Sequence, residues 1–506
     1  MNKLEQQTNE EQQQEVKPAG KFIRIKPFAL IMLMFLTILV TAGITVLALT
    51  FGEKKVVEVA VPAERSEFEN LYEAFDKLND SYYTDLDSET LVKGAINGMF
   101  DAIEDPYTDY QDVEEATSFN ESLSSSFEGI GAEIQESDGY IKVVSPIKNS
   151  PAEKAGLLPQ DLILTVDGES IKGLSANEAV LLIRGEKGTK VTLSVQRGKD
   201  TEPFDVTIVR DVIPIETVYG DLDEDKIAHI QVTSFSEDTA KELTTMLADF
   251  DNQGMEGIVL DLRQNPGGYL TAAVEIANLF LDEGQTILQV QSKEGNPEVY
   301  KTDSGVKYEQ PLTVLIDDGS ASASEILAAA ISENGRGKLV GVKSFGKGTV
   351  QTVEQLNDGS NLKYTNAKWL TPKGNWIHEK GISPTVEVAY PDYMQLTYID
   401  SEQEFKEGSA NASIKSAKGM LKALGYEVGE VNETFDNTLT NAVKQFQTDH
   451  ELKVTGVLTG DTTTSLMTAL SEYAEANDPM EAKAKKLLLA KLKKQTDSKD
   501  STDSKQ

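Results

Sequence analysis

The chain has 506 residues, 39% of them hydrophobic, which is enough for three or four domains. It contains no cysteine, which excludes disulfides, thiol catalysis and cysteine-ligated metal. A formal net charge of −35 argues against nucleic acid as a partner. The three histidines, His229, His378 and His450, leave little for a histidine triad or a zinc site.

Residues 1–27, rich in Gln and Glu at their start, read as a disordered cytoplasmic stub. Residues 28–51 are uncharged and mostly apolar, long enough as a helix to cross a bilayer of about 30 Å with some tilt. The stretch is too long for a signal-peptide core, and no clean small-x-small cleavage site follows it. Lys17, Lys21, Arg24 and Lys26 precede it, against Lys54, Lys55 and Arg65 after it. That excess is small; the N-terminus is placed in the cytoplasm, and the remainder outside it, because the distal modules described below belong outside. Between 64 and 118, the spacing of Phe68, Leu71, Tyr72, Phe75 and Leu78 predicts a helical arm, either packed or used for dimerisation.

Next come Phe127-Glu128-Gly129-Ile130-Gly131-Ala132, Ser150-Pro151-Ala152-Glu153-Lys154-Ala155-Gly156-Leu157, Asp161-Leu162-Ile163 and Val166-Asp167-Gly168. On these motifs, residues 119–211 resemble a PDZ domain. The resemblance implies that backbone amides of Gly129, Ile130, Gly131 and Ala132 capture a terminal carboxylate. A strand then pairs with the peptide, beside a 177–184 helix ending at Arg184.

From 212 to 400 an α/β core is expected. Gly257-Ile258-Val259-Leu260-Asp261 reads as a buried strand ending in the tight turn Asn265-Pro266-Gly267-Gly268. Pro311-Leu312-Thr313-Val314-Leu315-Ile316 reads as a second, leading into Gly319-Ser320-Ala321-Ser322-Ala323-Ser324-Glu325. Ser322 and Glu325 have capping-box spacing before a helix, which puts a hydroxyl beside unpaired backbone amides suited to an oxyanion. A glycine-flanked lysine follows in Phe345-Gly346-Lys347-Gly348, with Gln351 four residues on. Lysine serves as a base only when neutral, and at an ordinary pKa of about 10.4 roughly one in 2,500 is neutral at pH 7. Burial supplies the required depression, and an uncharged glutamine orients the amine without restoring its proton affinity. His378 reads as a polar strand residue.

These runs resemble the three core motifs of the carboxy-terminal processing, or tail-specific, proteases. Leu370-Thr371-Pro372-Lys373-Gly374 and Gly381-Ile382-Ser383-Pro384 resemble the segment that closes that family's core. The resemblance implies Ser322 as nucleophile, Lys347 as general base and Gln351 as its positioner. The backbone amides of Ala323 and of Gly267 or Gly268 become the oxyanion donors, with no metal or other cofactor. Gln264 departs from the pattern, where glycine or asparagine is more usual, without expected consequence.

Further on, Ile414, Ala417, Met420, Leu421 and Leu424 form one stripe, Asp436 caps a second helix, and Leu466, Met467 and Leu470 mark a third. With this pattern, residues 411–472 resemble a three-helix peptidoglycan-binding domain. Residues 478–506 read as a basic helix, solvated or touching an anionic membrane or wall polymer, then a disordered end. The expected whole is a multidomain α+β chain: transmembrane helix, helical arm, PDZ domain, α/β serine-protease core and small three-helix C-terminal domain. Its expected partners are protein C-termini, peptidoglycan and the membrane, with homodimerisation through the arm. Two functions compete: a membrane-anchored endopeptidase with a Ser–Lys dyad, or a non-catalytic peptide- and peptidoglycan-binding envelope scaffold. Intact Ser322, Lys347 and Gln351 favour the first. A peptidoglycan hydrolase lacks the histidines and thiol its usual chemistries need.

Overall fold

The computed structural model describes residues 66–503 except 138, 199, 200, 304 and 306, together with Met32 and Met34. The expected stub and most of the expected membrane span lie outside the described residues. Among the described residues no helix is long and apolar enough to cross a membrane. The chain divides into two units, Met1–Leu91 and Val92–Gln506. In the first, a helix over Glu69–Ser81 buries none of its side chains, and Leu71, Tyr72 and Leu78 stand exposed.

The second unit holds three cores. In the first, strands Ala132–Ser137, Tyr140–Pro146, Leu162–Val166, Lys190–Gln196 and Phe204–Val209 lie side by side in that order, all antiparallel. Alternation along Lys190–Gln196 sends Val191, Leu193 and Val195 inward against Ile141, Val143 and Ile163. Ala132–Ser137 is an edge strand, facing a helix over Ala176–Ile183. A ribbon of Ser126–Gly129 against Asp211–Pro214 closes this module.

The second core is a six-stranded sheet in the order Val218–Leu222, Ile227–Val232, Gly257–Asp261, Leu312–Ile316, Gly337–Gly341 and Val386–Glu387. All neighbours after the first pair run parallel. Parallel strands covered on both faces need unbroken apolar runs, and every residue of Leu312–Ile316 is buried. Helices Thr239–Asn252, Leu270–Phe280 and Ala323–Glu333 contribute to the core on one face. A second sheet pairs Asn361–Leu370 with Thr349–Gln355, Thr286–Ser292 and Asp109–Gln111. The stretch expected to be arm therefore also lends a strand to the protease core.

The other face of the six-stranded sheet corrects one expectation. The lysine-rich C-terminal helix, Pro479–Asp503, is not a free solvated tail: one face packs on the sheet, while Lys486, Lys491, Lys493 and Lys494 stay exposed on the other. Met480, Ala484 and Leu488 bury against Ile227, Val259, Leu315 and Val340, and the helix runs through the stretch expected to be disordered as far as Asp503. The third core is built by helices Ala412–Ala423, Asn437–Asp449 and Gly460–Ala476. Ile399 and Phe405 pack into it too, so this module draws in chain that the sequence reading placed in or just after the protease core. Asp436 caps the second helix by accepting from Leu439 N at 2.9 Å.

Candidate active site

Two strands of the six-stranded sheet deliver the reactive turns at their carboxyl ends, where open α/β sheets place ligands. After Gly257–Asp261 the chain turns through Gln264 at φ 55°, a left-handed value that explains why glycine or asparagine suits this position. Gln264 is held there by Asp317, which accepts from its backbone N at 2.9 Å and its Nε2 at 2.7 Å. Fully buried Asn265 then ties the turn down. Its Nδ2 donates to Val232 O at 2.7 Å, and its carbonyl accepts from Ala321 N at 3.0 Å and Ser324 Oγ at 2.9 Å. A Cβ on Gly267 would stand 2.9 Å from Ser322 Cβ and 3.0 Å from Ala323 N, so this glycine is needed for the two turns to meet.

The oxyanion assignment needs one correction. Gly267 N donates to Asn265 Oδ1 at 2.9 Å, so it is already spent. Among the described residues, Gly268 N and Ala323 N meet no protein acceptor.

In the serine run, burial separates the three hydroxyls. Ser320 Oγ donates to Leu262 O at 2.7 Å and accepts from Asp317 N at 2.9 Å, and Ser324 is tied to Asn265. Ser322 alone of the three lines the large cavity of about 640 Å³. It stands just ahead of the Ala323–Glu333 helix with φ 53° and ψ −112°, a conformation that costs a non-glycine residue and marks a functional turn.

Lys347 comes to the same cavity on a loop with glycine on both sides. A Cβ on Gly348 would fall 2.7 Å from His378 N, and one on Gly346 would fall 2.9 Å from Gly381 N. Lys347 O accepts from Trp369 Nε1 at 2.8 Å, and Nζ sits 4.9 Å from the centroid of the Tyr107 ring. Burial pushes the ammonium below its ordinary pKa, with the positive charge of Lys363 adding to the effect; Asp105 and Glu325 oppose it. Gln351 lines the cavity, but its Nε2 donates to Thr349 Oγ1 at 2.9 Å and Thr365 Oγ1 at 3.1 Å rather than meeting Lys347. His378 lies in a turn, not a strand; its Nδ1 accepts from Gly348 N at 3.3 Å and its ring stacks on Trp376.

The sequence reading gave Glu325 only a capping role. It does accept from Ser322 N at 2.9 Å, but it is fully buried and also accepts from Ser344 Oγ at 2.6 Å, Gly346 N at 2.8 Å and Lys347 N at 2.8 Å. One carboxylate therefore fixes the backbone of both the serine turn and the lysine loop. Burial raises its pKa against the pull of those donors. Tyr107, Asp105 and Trp369 were also missed, because nothing local in their sequence marks them.

In the PDZ module Gly131 takes φ 74°, and a Cβ there would strike Ser150 Cβ at 2.5 Å. Gly131 O accepts from Ile147 N at 2.9 Å and Ile130 O from Ala152 N at 2.8 Å, so the loop is locked beside the edge strand that begins at Ala132. Gly129 lies in the closing ribbon, opposite Asp211. The Arg184 side chain is committed elsewhere, to an ion pair with Glu121 and a stacking contact 4.8 Å from the Phe127 ring.

A strained seryl turn, a half-buried lysine and free amides at the carboxyl ends of parallel strands define a serine hydrolase site. Comparison with known proteins makes the class specific. The description Peptidase family S41 matches residues 226–388, PDZ domain matches 129–208, and Putative peptidoglycan binding domain matches 410–466. Residues 47–115 match the Activating protease CtpB N-terminal domain. The carboxy-terminal processing protease CtpA of Bacillus subtilis (strain 168) is 47% identical over 89% of this chain and 97% of its own. A probable CtpA-like serine protease of Staphylococcus aureus (strain MSSA476) is 40% identical over 91% and 92%. Among solved structures, a photosystem II D1 C-terminal processing protease is 29% identical over 63% of this chain and 86% of that one, with a TM-score of 0.39. The chain belongs to the carboxy-terminal processing serine proteases of peptidase family S41.

Proposed function

We propose that the protein is a membrane-anchored endopeptidase that works on the cell-wall side and cleaves proteins near their C-termini through a Ser322–Lys347 dyad. The carrying observation is the shared cavity, into which a strained Ser322, a half-buried Lys347 and the unpaired amides of Gly268 and Ala323 converge. Neutral Lys347 takes the Ser322 proton as Oγ attacks the scissile carbonyl. The developing oxyanion is received by Gly268 N and Ala323 N. Lys347 then protonates the leaving amine, and the acyl-enzyme is hydrolysed by water that Lys347 deprotonates in turn. Gln351 Oε1 takes no donor among the described residues, the Lys347 amine included, so it orients that amine only if the two come together when substrate binds.

The uncharged stretch 28–51 supports the anchor, and the peptidoglycan-binding module supports attachment to the wall. The edge strand Ala132–Ser137 supports capture of an extended substrate end. The exposed Leu71, Tyr72 and Leu78 support self-association through the N-terminal arm. The test is peptide cleavage with trapping of the acyl-enzyme. Ser322→Ala and Lys347→Ala each lose about 10³-fold or more in kcat with folding intact. A fully active Ser322→Ala variant would sink the mechanism.

A further inference from the structure

Lys347 is not the only lysine on the wall of the reactive cavity. Lys363, on the Asn361–Leu370 strand, lines it as well, beside its register partner Val353. Each amine rests against an aromatic ring from the segment that precedes the PDZ core: Lys347 Nζ lies 4.9 Å from the Tyr107 centroid and Lys363 Nζ 5.4 Å from that of Phe119. Two cations facing one apolar-walled space are costly unless paired, yet the pairing is thin. Lys347 forms no ion pair among the described residues. Lys363 has only Asp109, at 3.7 Å.

The acidic groups around the pair are otherwise engaged. Asp105 accepts from Tyr107 N and Thr108 Oγ1, and Glu325 accepts from four donors of the serine and lysine loops. His378 stands edge-on to Tyr107, and Glu379 follows it, its backbone N donating to Gly346 O.

We propose that Lys363 is a positioning residue for the reaction, whose fixed positive charge on the cavity wall keeps the Lys347 amine unprotonated and so ready to act as base. The physics is like-charge repulsion across the shared cavity, between two half-buried amines. Lys363 needs no contact with substrate to act this way. The reading rests on Lys347 being the general base, and the experiment separates the two.

The pH dependence of kcat/KM is measured for the full chain, for Lys363→Gln and Lys363→Arg, and for Lys347→Ala as the control on the dyad. Removing the charge moves the ascending limb to higher pH by about half a unit or more, so that activity near pH 7 falls about threefold or more and returns on the alkaline plateau. Lys363→Arg keeps the wild-type profile. If Lys347→Ala retains activity, the dyad itself is wrong. If Lys347→Ala is inactive but Lys363→Gln leaves the limb in place, only the Lys363 role falls. An equal loss at every pH in both Lys363 variants overturns it as well, since that marks a merely structural residue. So does an unmoved limb with a raised KM for acidic peptides, which marks a substrate contact.

Discussion

At the scale of single residues, the site depends on one carboxylate that reaches both the Ser322 turn and the Lys347 loop. Glu325 receives four donors from the Ser322 turn and the Ser344–Lys347 loop while fully buried. Glu325→Gln replaces one acceptor oxygen by a donor aimed at other donors, so two of those bonds are lost. We expect a stability loss of about 2–4 kcal/mol in denaturant unfolding and at least a tenfold drop in kcat. A variant with wild-type kcat would mean that the two loops hold their places without it. Ser320→Ala and Ser322→Ala divide in the opposite sense. The first removes two buried hydrogen bonds and costs about 1–3 kcal/mol with modest kinetic loss, whereas the second leaves stability near wild type and abolishes turnover. The turns that carry Ser322 and Lys347 to one cavity were legible in the sequence because small residues and glycines announce tight turns. The capture of Gly267 N by Asn265 and of Gln351 by two threonines was not, because both depend on which neighbours the folded turns and strands supply.

At the scale of elements, the C-terminal helix shows what a charge-led reading misses. Its lysines are conspicuous, but Met480, Ala484 and Leu488 recur every four residues and mark the face that packs on the sheet. Ionic contacts then fix its register. Asp478 pairs with Arg263 at 2.6 Å, in the turn that follows strand Gly257–Asp261, and Lys485 reaches Asp223 and Asp225. His229 lies between Glu481 at 2.6 Å and Asp223 at 2.9 Å. Glu481 raises the His229 pKa above its usual value and Asp223 adds to this, while burial opposes both. Because the folded-state pKa is the higher one, the contribution is present in full below the ordinary imidazole pKa of about 6.5 and fades as pH rises through the folded value. Asp223 runs the other way. Burial opposes its ionisation, but Lys485 and His229 prevail and hold it down at about 2, so its contribution stands above pH 3.8 and fades as pH falls toward 2. Thermal unfolding of His229→Gln against wild type should therefore show a deficit at pH 6 that narrows by pH 9. A deficit constant over that range would contradict a protonated His229 clasping the helix.

At the scale of the whole molecule, the order of modules could be read because each carries a periodic apolar pattern and its own turn residues. Where one module ends and the next begins could not, since Ile399, Phe405 and strand Asp109–Gln111 join their partners through long-range packing. The same distinction bears on substrate selection. The sequence offered Arg184 as a peptide contact, but its guanidinium is engaged by Glu121 and Phe127, so the proposed carboxylate receptor is the set of backbone amides around Gly131. A terminal carboxylate held by amides gains charge-assisted hydrogen bonds that a neutral amide end cannot replace. Binding of a peptide and its C-terminally amidated twin to the full-length Ser322→Ala protein should therefore differ by about 1–3 kcal/mol in favour of the free acid. Arg184→Ala should leave that difference in place even if overall affinity changes. If amidation has no effect, this module does not read chain ends; if Arg184→Ala erases the difference, the guanidinium leaves Glu121 to bind the carboxylate itself.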